Sequence, residues 1–262
     1  MRSLAKRLLP APLLQTCRVA RLACDIDFWH LRATSAARLL GLKGKHRGER
    51  CFIIGNGPSL NRTDLTLLRR EMTFGLNRIY LLFDKLGFHT TYHVCVNPLV
   101  TEQCAREIEA LPMPRFLSWH CRSMVRRTRG MMFVGDPYDR TLGFATNPLG
   151  RIWEGGTVTY VAMQLAYYLG FEQVVLVGVD HSFVTQGVAN TAVTSQGADP
   201  NHFDPNYFGA GFRWNLPDLE TSELAYGLAK SAFEADGREI VDATVGGKLS
   251  VFRKVSYPSL FS

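Results

Sequence analysis

Ten residues constrain this chain more than any others: Cys51-Phe52-Ile53-Ile54-Gly55-Asn56-Gly57-Pro58-Ser59-Leu60. The first four are apolar or β-favouring and read as a buried strand. A Gly-Asn-Gly-Pro-Ser turn follows directly. Gly55 and Gly57 offer φ > 0 and a backbone that a ligand can approach closely. Pro58 sets the exit, and Ser59 or Asn61 is placed to cap a helix over 64–71. Strand, glycine turn and helix N-terminus together form a phosphate site, because free N–H groups and the helix dipole converge there. A purely structural corner would read the same way, but a first βα turn is where open α/β sheets bind phosphates. Leu60 stands where the dinucleotide fingerprint needs its third glycine. No G-x-x-x-x-G-K-[ST] occurs, which argues against a P-loop kinase or ATPase.

Charge separates the chain into two parts. Residues 1–50 carry 11 Lys/Arg against 3 Asp/Glu, while the net charge of all 262 residues is +7, so the remainder is close to neutral. A nucleic-acid-binding body would carry its basic patch on the fold itself, and none is expected here. We read residues 1–48 as a basic, amphipathic helical extension and 49–262 as one Rossmann-like nucleotide-binding domain. In the extension, Leu4, Leu8, Leu9, Leu13 and Leu14 alternate with Arg2, Lys6 and Arg7, and Phe28, Trp29, Leu31, Leu39 and Leu40 accompany Arg32 and Arg38. That pattern fits either a helix lying on an anionic membrane surface or a helical lid packed on the body. The acid-free start also has the composition of an organellar transit peptide. No apolar run reaches the length of a membrane span. Six cysteines without a C-x-x-C pair fit a reducing cytosol. The expectation is a cytoplasmic protein, peripheral on the inner face of the membrane where the extension binds lipid rather than the body.

Strands are predicted at 51–54, 73–76, 91–97, 115–119, 131–134, 174–180 and 239–242. Helices are predicted at 64–71, 78–86, 101–110, 157–169 and 219–235. Their alternation indicates an α/β fold with a doubly wound, mostly parallel sheet. Residues 181–218 lack periodicity and are long enough to suggest an active-site lid.

Several polar residues fall where such a sheet binds ligands. Asn77 and Asn97 each end a strand and bring an amide to the carboxyl edge, suited to a sugar hydroxyl, a base edge or a phosphate. Gly155, Gly156 and Thr157 precede an apolar helix and form a second N-terminus open to an anion. Asp180 and His181 end a buried strand, where Asp180 can orient His181 or a ligand hydroxyl. In the long loop, His202 with Asp204 makes a candidate base held by a carboxylate, and Tyr207 a candidate phosphate or base contact. Asp199, His202 and Asp204 form a weak metal set, and we expect no metal. Asp25-Ile26-Asp27 has the D-x-D form of some metal-dependent sugar transferases but lies off any strand end.

The segments 51–60, 73–80, 155–180 and 201–214, with the tail 240–261, resemble the MptE-like proteins, a family that includes Maf-type flagellin glycosylation factors. A more distant likeness is to bacterial sialyltransferases that use CMP-sialic acid, in which a similar turn, a strand-end Asn and an Asn-Pro line the CMP-sugar site. The resemblance implies nucleotide or donor-sugar contacts for Asn56, Gly57, Ser59, Asn77 and Asn97, and donor contacts for the turn at Gly155, Gly156 and Thr157. Two positions depart from it. Ser182 replaces a Tyr after the strand-end Asp, and Tyr207-Phe208-Gly209-Ala210 replaces a Tyr-x-Gly-His run. His202, or His181 in second place, must then supply the base.

The expected activity is metal-independent transfer of a sugar from a nucleotide-activated donor, CMP-linked if the sialyltransferase likeness extends to the donor, to a bacterial surface glycan or glycoconjugate. No cofactor is expected beyond that donor. The resemblance also implies a second activity, a 6-hydroxymethylpterin diphosphokinase using ATP and Mg²⁺ held by Asp180, Asp199 and Asp204. A third reading is a non-catalytic nucleotide-binding scaffold.

Overall fold

The apolar runs pair into one sheet because each is too apolar to face water on either side. The computed structural model describes residues 29–135, 142–185 and 187–262. The rest of the predicted extension, with Asp25-Ile26-Asp27, lies outside them. The strands are β1 (Arg50–Ile54), β2 (Met72–Leu76), β3 (Tyr92–Cys95), β4 (Arg115–Ser118), β5 (Met131–Val134), β6 (Gln173–Val177), β7 (Ala192–Thr194), β8 (Arg213–Asn215), β9 (Glu239–Asp242) and β10 (Arg253–Lys254). Eight of them form a sheet ordered β10-β9-β6-β1-β2-β3-β4-β5, parallel at every pairing. The fold is α/β and Rossmann-like, as the strand–helix alternation predicts.

Successive residues of β1 serve opposite faces. Cys51 and Ile53 join one apolar cluster, while Phe52 and Ile54 join the other. A strand buried on both sides must be apolar throughout, which is why the run 51–54 shows no alternation. On the first face, α5 (Val158–Leu169) buries ten of its twelve residues, and α6 (Leu219–Ala235) lies against it. Thr157 caps α5 at its start and Gly170, at φ 95, ends it. The second face is covered by short helices and by Phe203, Tyr207, Phe208 and Trp214 of the long loop.

Residues 29–40 are helical (α1) and pack on the body. Leu31 and Leu39 are buried, Ser35 Oγ accepts the N–H of Phe133, and Arg38 Nη1 donates to the carbonyl of Met131 at 2.6 Å. Both partners lie on β5, the edge strand, so α1 satisfies groups that an open edge would leave unpaired. The chain then donates Gly44 and His46 N–H groups to the last carbonyls of α5, at Tyr168 and Leu169.

Three predicted helices differ in kind. Residues 64–71 form only a 3₁₀ stretch, Leu65–Arg70, capped by Asp64 rather than by Ser59 or Asn61. Residues 78–86 divide into a 3₁₀ turn at Ile79–Leu82 and a single helical turn, α2 (Phe83–Leu86). The third becomes α3 (Pro98–Gln103) and α4 (Ala105–Ala110), interrupted at Cys104. Short segments between closely spaced parallel strands have little helix to gain, and tertiary packing decides their form. The region 181–218 contains the β7–β8 hairpin, which the sequence did not signal. Among the described residues, no helix is long and apolar enough to cross a membrane.

Candidate functional site

Strand order changes direction between β1 and β6. Crevices outside the carboxyl ends of parallel strands at such a switch point are where α/β sheets take ligands. A cleft of about 460 Å³ opens there, lined by Gly55, Asn56, Gly57, Asn77, Asn97, Gly156, Thr157, Asp180, His181, His202 and Tyr207 among others. Eleven of the fourteen predicted site residues thus converge on one cleft. Pro58, Ser59 and Gly155 do not line it.

The first glycine turn differs from its predicted form. Neither Gly55 nor Gly57 has positive φ. Both are glycine because the end of β6 comes so close: a Cβ on Gly55 would stand 2.3 Å from the Gly178 carbonyl oxygen, and one on Gly57 would stand 1.8 Å from Asp180 Oδ2. The turn opens a five-residue 3₁₀ segment, Pro58–Arg62, rather than an α-helix. Its donors are already engaged. Ser59 N–H donates to Asp180 Oδ1 at 3.1 Å and Ser59 Oγ to Asp180 Oδ2 at 2.6 Å. Asp180 therefore closes this turn as an internal anion, and Ser59, buried behind it, is not placed to hold a phosphate. Asn56 remains, with a side-chain Oδ1 that is buried and has no partner.

The second turn keeps its predicted openness. Gly155 and Gly156 have φ of 54° and 72°. Gly155 is a packing residue, since a Cβ would meet Tyr160 at 2.4 Å and Ala225 at 2.8 Å. Gly156 and Thr157 face the cleft at the N-terminus of α5. Glu154, to which sequence reasoning gave no role, also lines the cleft and accepts a hydrogen bond from Ser118 Oγ at 2.9 Å. The protein enclosing it holds its carboxyl above the usual range.

Asn77 and Asn97 reach the cleft by different routes. Asn97 caps α3, its Oδ1 accepting from Leu99 and Val100 N–H, which is the simple capping role. Asn77 has φ 46° and a buried, unpartnered Oδ1. Among the described residues three non-glycine positions have left-handed backbone: Asn77, His181 and Asn190. All three line the cleft. Backbone strain held in place by the surrounding structure concentrates at functional sites.

The two histidines each have a carboxylate. His181 Nε2 lies 2.8 Å from Glu223 Oε1. His202 Nδ1 lies 2.6 Å from Asp199 Oδ2, and its ring stacks on Tyr207 with centroids 4.0 Å apart. The partner predicted for His202 was Asp204, which instead accepts from the Asn206 N–H in an exposed turn. Asp199 is also held by the N–H groups of Asn201 and Phe208, so the carboxylate is fixed before the histidine meets it. An i, i+3 spacing on a turn permits that pair but does not choose it over Asp204. With Nδ1–H donated to Asp199, Nε2 presents its lone pair. Tyr207, expected to steady a departing phosphate, is fully buried beneath this ring, and its hydroxyl accepts the Arg78 N–H. Burial pushes its phenol up.

No Lys or Arg lines the cleft among the described residues. Asp180, Asp199 and Asp204, the set that an Mg²⁺ would need, have separate partners, and among the described residues no three His, Cys, Asp or Glu side chains gather to hold a metal.

Comparison with known proteins agrees with the fold. The Maf glycosyltransferase from Magnetospirillum magneticum AMB-1 superposes with a TM-score of 0.51 at 14% identity, over 87% of this chain and 39% of that one. The chain therefore spans well under half the length of that relative. A second likeness, at a TM-score of 0.45 and 14% identity over 80% of this chain and 86% of that one, is to the sialyltransferase CstII from Campylobacter jejuni, solved with cytidine-5'-monophosphate as a substrate analogue. No curated protein matches the sequence. The family model described as 6-hydroxymethylpterin diphosphokinase MptE-like matches residues 29–186, more than half of the chain, and the protein belongs to that MptE-like family.

Proposed function

We propose that the protein transfers a sugar from a nucleoside-monophosphate-linked donor to a hydroxyl of a glycan acceptor. The observation that carries this reading is the pairing, in one cleft, of His202 held by Asp199 with two buried amide oxygens that have no protein partner, on Asn56 and Asn77. An unpaired buried acceptor is costly, and a ligand that donates to it recovers that cost. The nucleotide and donor sugar supply such N–H and O–H groups.

Charge favours a single phosphate. A di- or triphosphate needs several cations, and the described lining supplies none. One phosphate can instead be met by the N-terminus of α5 behind Gly156 and Thr157. Glu154 lines the cleft beside it, its carboxyl held above the ordinary value by burial. In the transfer, His202 Nε2 takes the proton of the acceptor hydroxyl, and Asp199 steadies the imidazolium that forms. The acceptor oxygen bonds the anomeric carbon, whose bond to the phosphate oxygen breaks, and the nucleoside monophosphate leaves. No divalent cation is required in this reading. The glycan is a bacterial surface glycan or glycoconjugate. In this reading the basic residues ahead of α1 hold the protein on the inner face of the membrane, while α1 itself stays packed on the body.

A thermal-shift panel of CMP, UDP, GDP and ATP tests the donor, because a ligand that binds only the native state raises its stability. CMP should give the largest shift. His202→Ala should lower turnover about a hundredfold while CMP affinity changes little, and His181→Ala should cost less turnover and more stability. Turnover should survive EDTA. ATP turnover that EDTA abolishes would replace this reading with diphosphoryl transfer.

A further inference from the structure

At the edge of the cleft, one peptide group is held at both ends. The carbonyl of Asn77 receives a hydrogen bond from His93 Nε2 at 2.6 Å, and the N–H of the next residue, Arg78, donates to the Tyr207 hydroxyl at 3.3 Å. His93 lies on β3, is fully buried and does not line the cleft. A carbonyl only accepts, so Nε2 carries the ring proton and Nδ1, buried without a partner, carries the lone pair. Burial pushes the imidazole pKa down to about 4, so the ring is neutral at neutral pH and its tautomer does not change.

This peptide has consequences on both sides. On the Asn77 side it holds a left-handed backbone at φ 46°, a conformation that Asn adopts more readily than other residues with a Cβ. That backbone sets the direction of the amide whose Oδ1 is buried and unpaired. On the Arg78 side it anchors Tyr207, the ring on which His202 stacks. The Arg78 guanidinium strengthens the same link, donating to the carbonyls of Asn206 and Tyr207 and lying over the rings of Tyr207 and Phe212.

We propose that His93 is a positioning residue that, through the Asn77–Arg78 peptide, fixes both the Asn77 amide that receives the nucleotide and the Tyr207 ring that carries the base. The nucleotide half of this inference rests on the function proposed above. The peptide clamp itself does not.

The experiment uses the full chain as wild type, His93→Leu, His93→Gln and Tyr207→Phe. Two quantities are read: affinity for CMP by calorimetry, and hydrogen exchange of the Arg78 amide against amides of β1 and β6. His93→Leu should weaken CMP about tenfold, the order of one lost hydrogen bond. It should also speed exchange at Arg78 while β1 and β6 stay protected. His93→Gln, whose side-chain N–H can reach the same carbonyl, should recover most of both. Tyr207→Phe should release the Arg78 amide from the other end. Unchanged CMP affinity and unchanged Arg78 protection in His93→Leu would overturn the inference, as would a folded His93→Gln with no recovery. If His93→Leu does not fold, His93→Gln and Tyr207→Phe decide by the same readouts. A wild type that binds no nucleotide would remove the function proposed above, and Arg78 exchange would still decide the clamp.

Discussion

The cleft has two glycine turns with nearly the same sequence logic and opposite states. Gly55–Ser59 and Gly155–Thr157 each follow the pattern of glycines before a helix start, and each has a carboxylate beside it. In the first, Asp180 accepts from both the backbone and the hydroxyl of Ser59, so the turn is closed by the protein's own anion. In the second, Glu154 turns to Ser118, and the N-terminus of a twelve-residue helix is left facing the cleft. The helix dipole needs a real helix behind it, and five residues of 3₁₀ do not provide one. A glycine turn before a helix is thus a site for an anion, but the fold decides whether that anion is a ligand or a side chain.

Four substitutions test this contrast, from largest effect to smallest. Gly57→Val should be the most damaging, because its Cβ alone would lie 1.8 Å from Asp180 Oδ2. It should cost about 3 kcal/mol or more in chemical denaturation and abolish the CMP thermal shift. A variant as stable as wild type would mean that Asp180 does not close the first turn. Gly156→Ala would bring its Cβ to 3.3 Å from the Asp218 carbonyl and Ser222 Oγ, tight contacts rather than a clash, so its cost should come mainly from the backbone at φ 72°. That predicts a loss of about 1–2 kcal/mol. A loss matching that of Gly57→Val would erase the distinction between the turns.

Thr157→Ala removes the side-chain cap of α5 and should cost about 1 kcal/mol, with CMP binding weakened a few-fold. If CMP binds unchanged, the phosphate does not sit at α5. Glu154→Gln should act through pH. A carboxyl held above its usual range binds its proton more tightly in the folded state than in the unfolded chain. Its contribution to stability is therefore complete at low pH and is lost as pH rises through the carboxylate range. Urea midpoints should show Glu154→Gln gaining on wild type over that rise, and parallel profiles would place Glu154 in water rather than in an enclosed cleft wall.

Much of the architecture was legible. Residues 51–54 and 174–177 are apolar without alternation, which only a strand covered on both faces requires, and 157–169 is apolar all round, which only a buried helix tolerates. Seven strands and the two long helices follow from such runs. The short helices did not, because Leu65–Arg70 and Ile79–Leu82 are too brief for periodicity to separate 3₁₀ from α. The two-residue β10 and the β7–β8 hairpin carry no pattern long enough to read.

The same division runs through the site. Sequence alone determined which residues gather at the carboxyl edge, because strand ends and glycine turns are local features and a parallel sheet brings all its strand ends to one side. It also narrowed the proposed base to His181 or His202. Partnership was decided by the tertiary structure. Asp180 reaches Ser59 across 121 positions because β6 lies beside β1, and it takes the place that the sequence reserved for a phosphate. Asp199 rather than Asp204 holds His202 because the loop folds its N–H groups of Asn201 and Phe208 onto that one carboxylate. Hydrogen bonds form between atoms brought within about 3 Å, and no spacing along a chain specifies that distance once a turn intervenes.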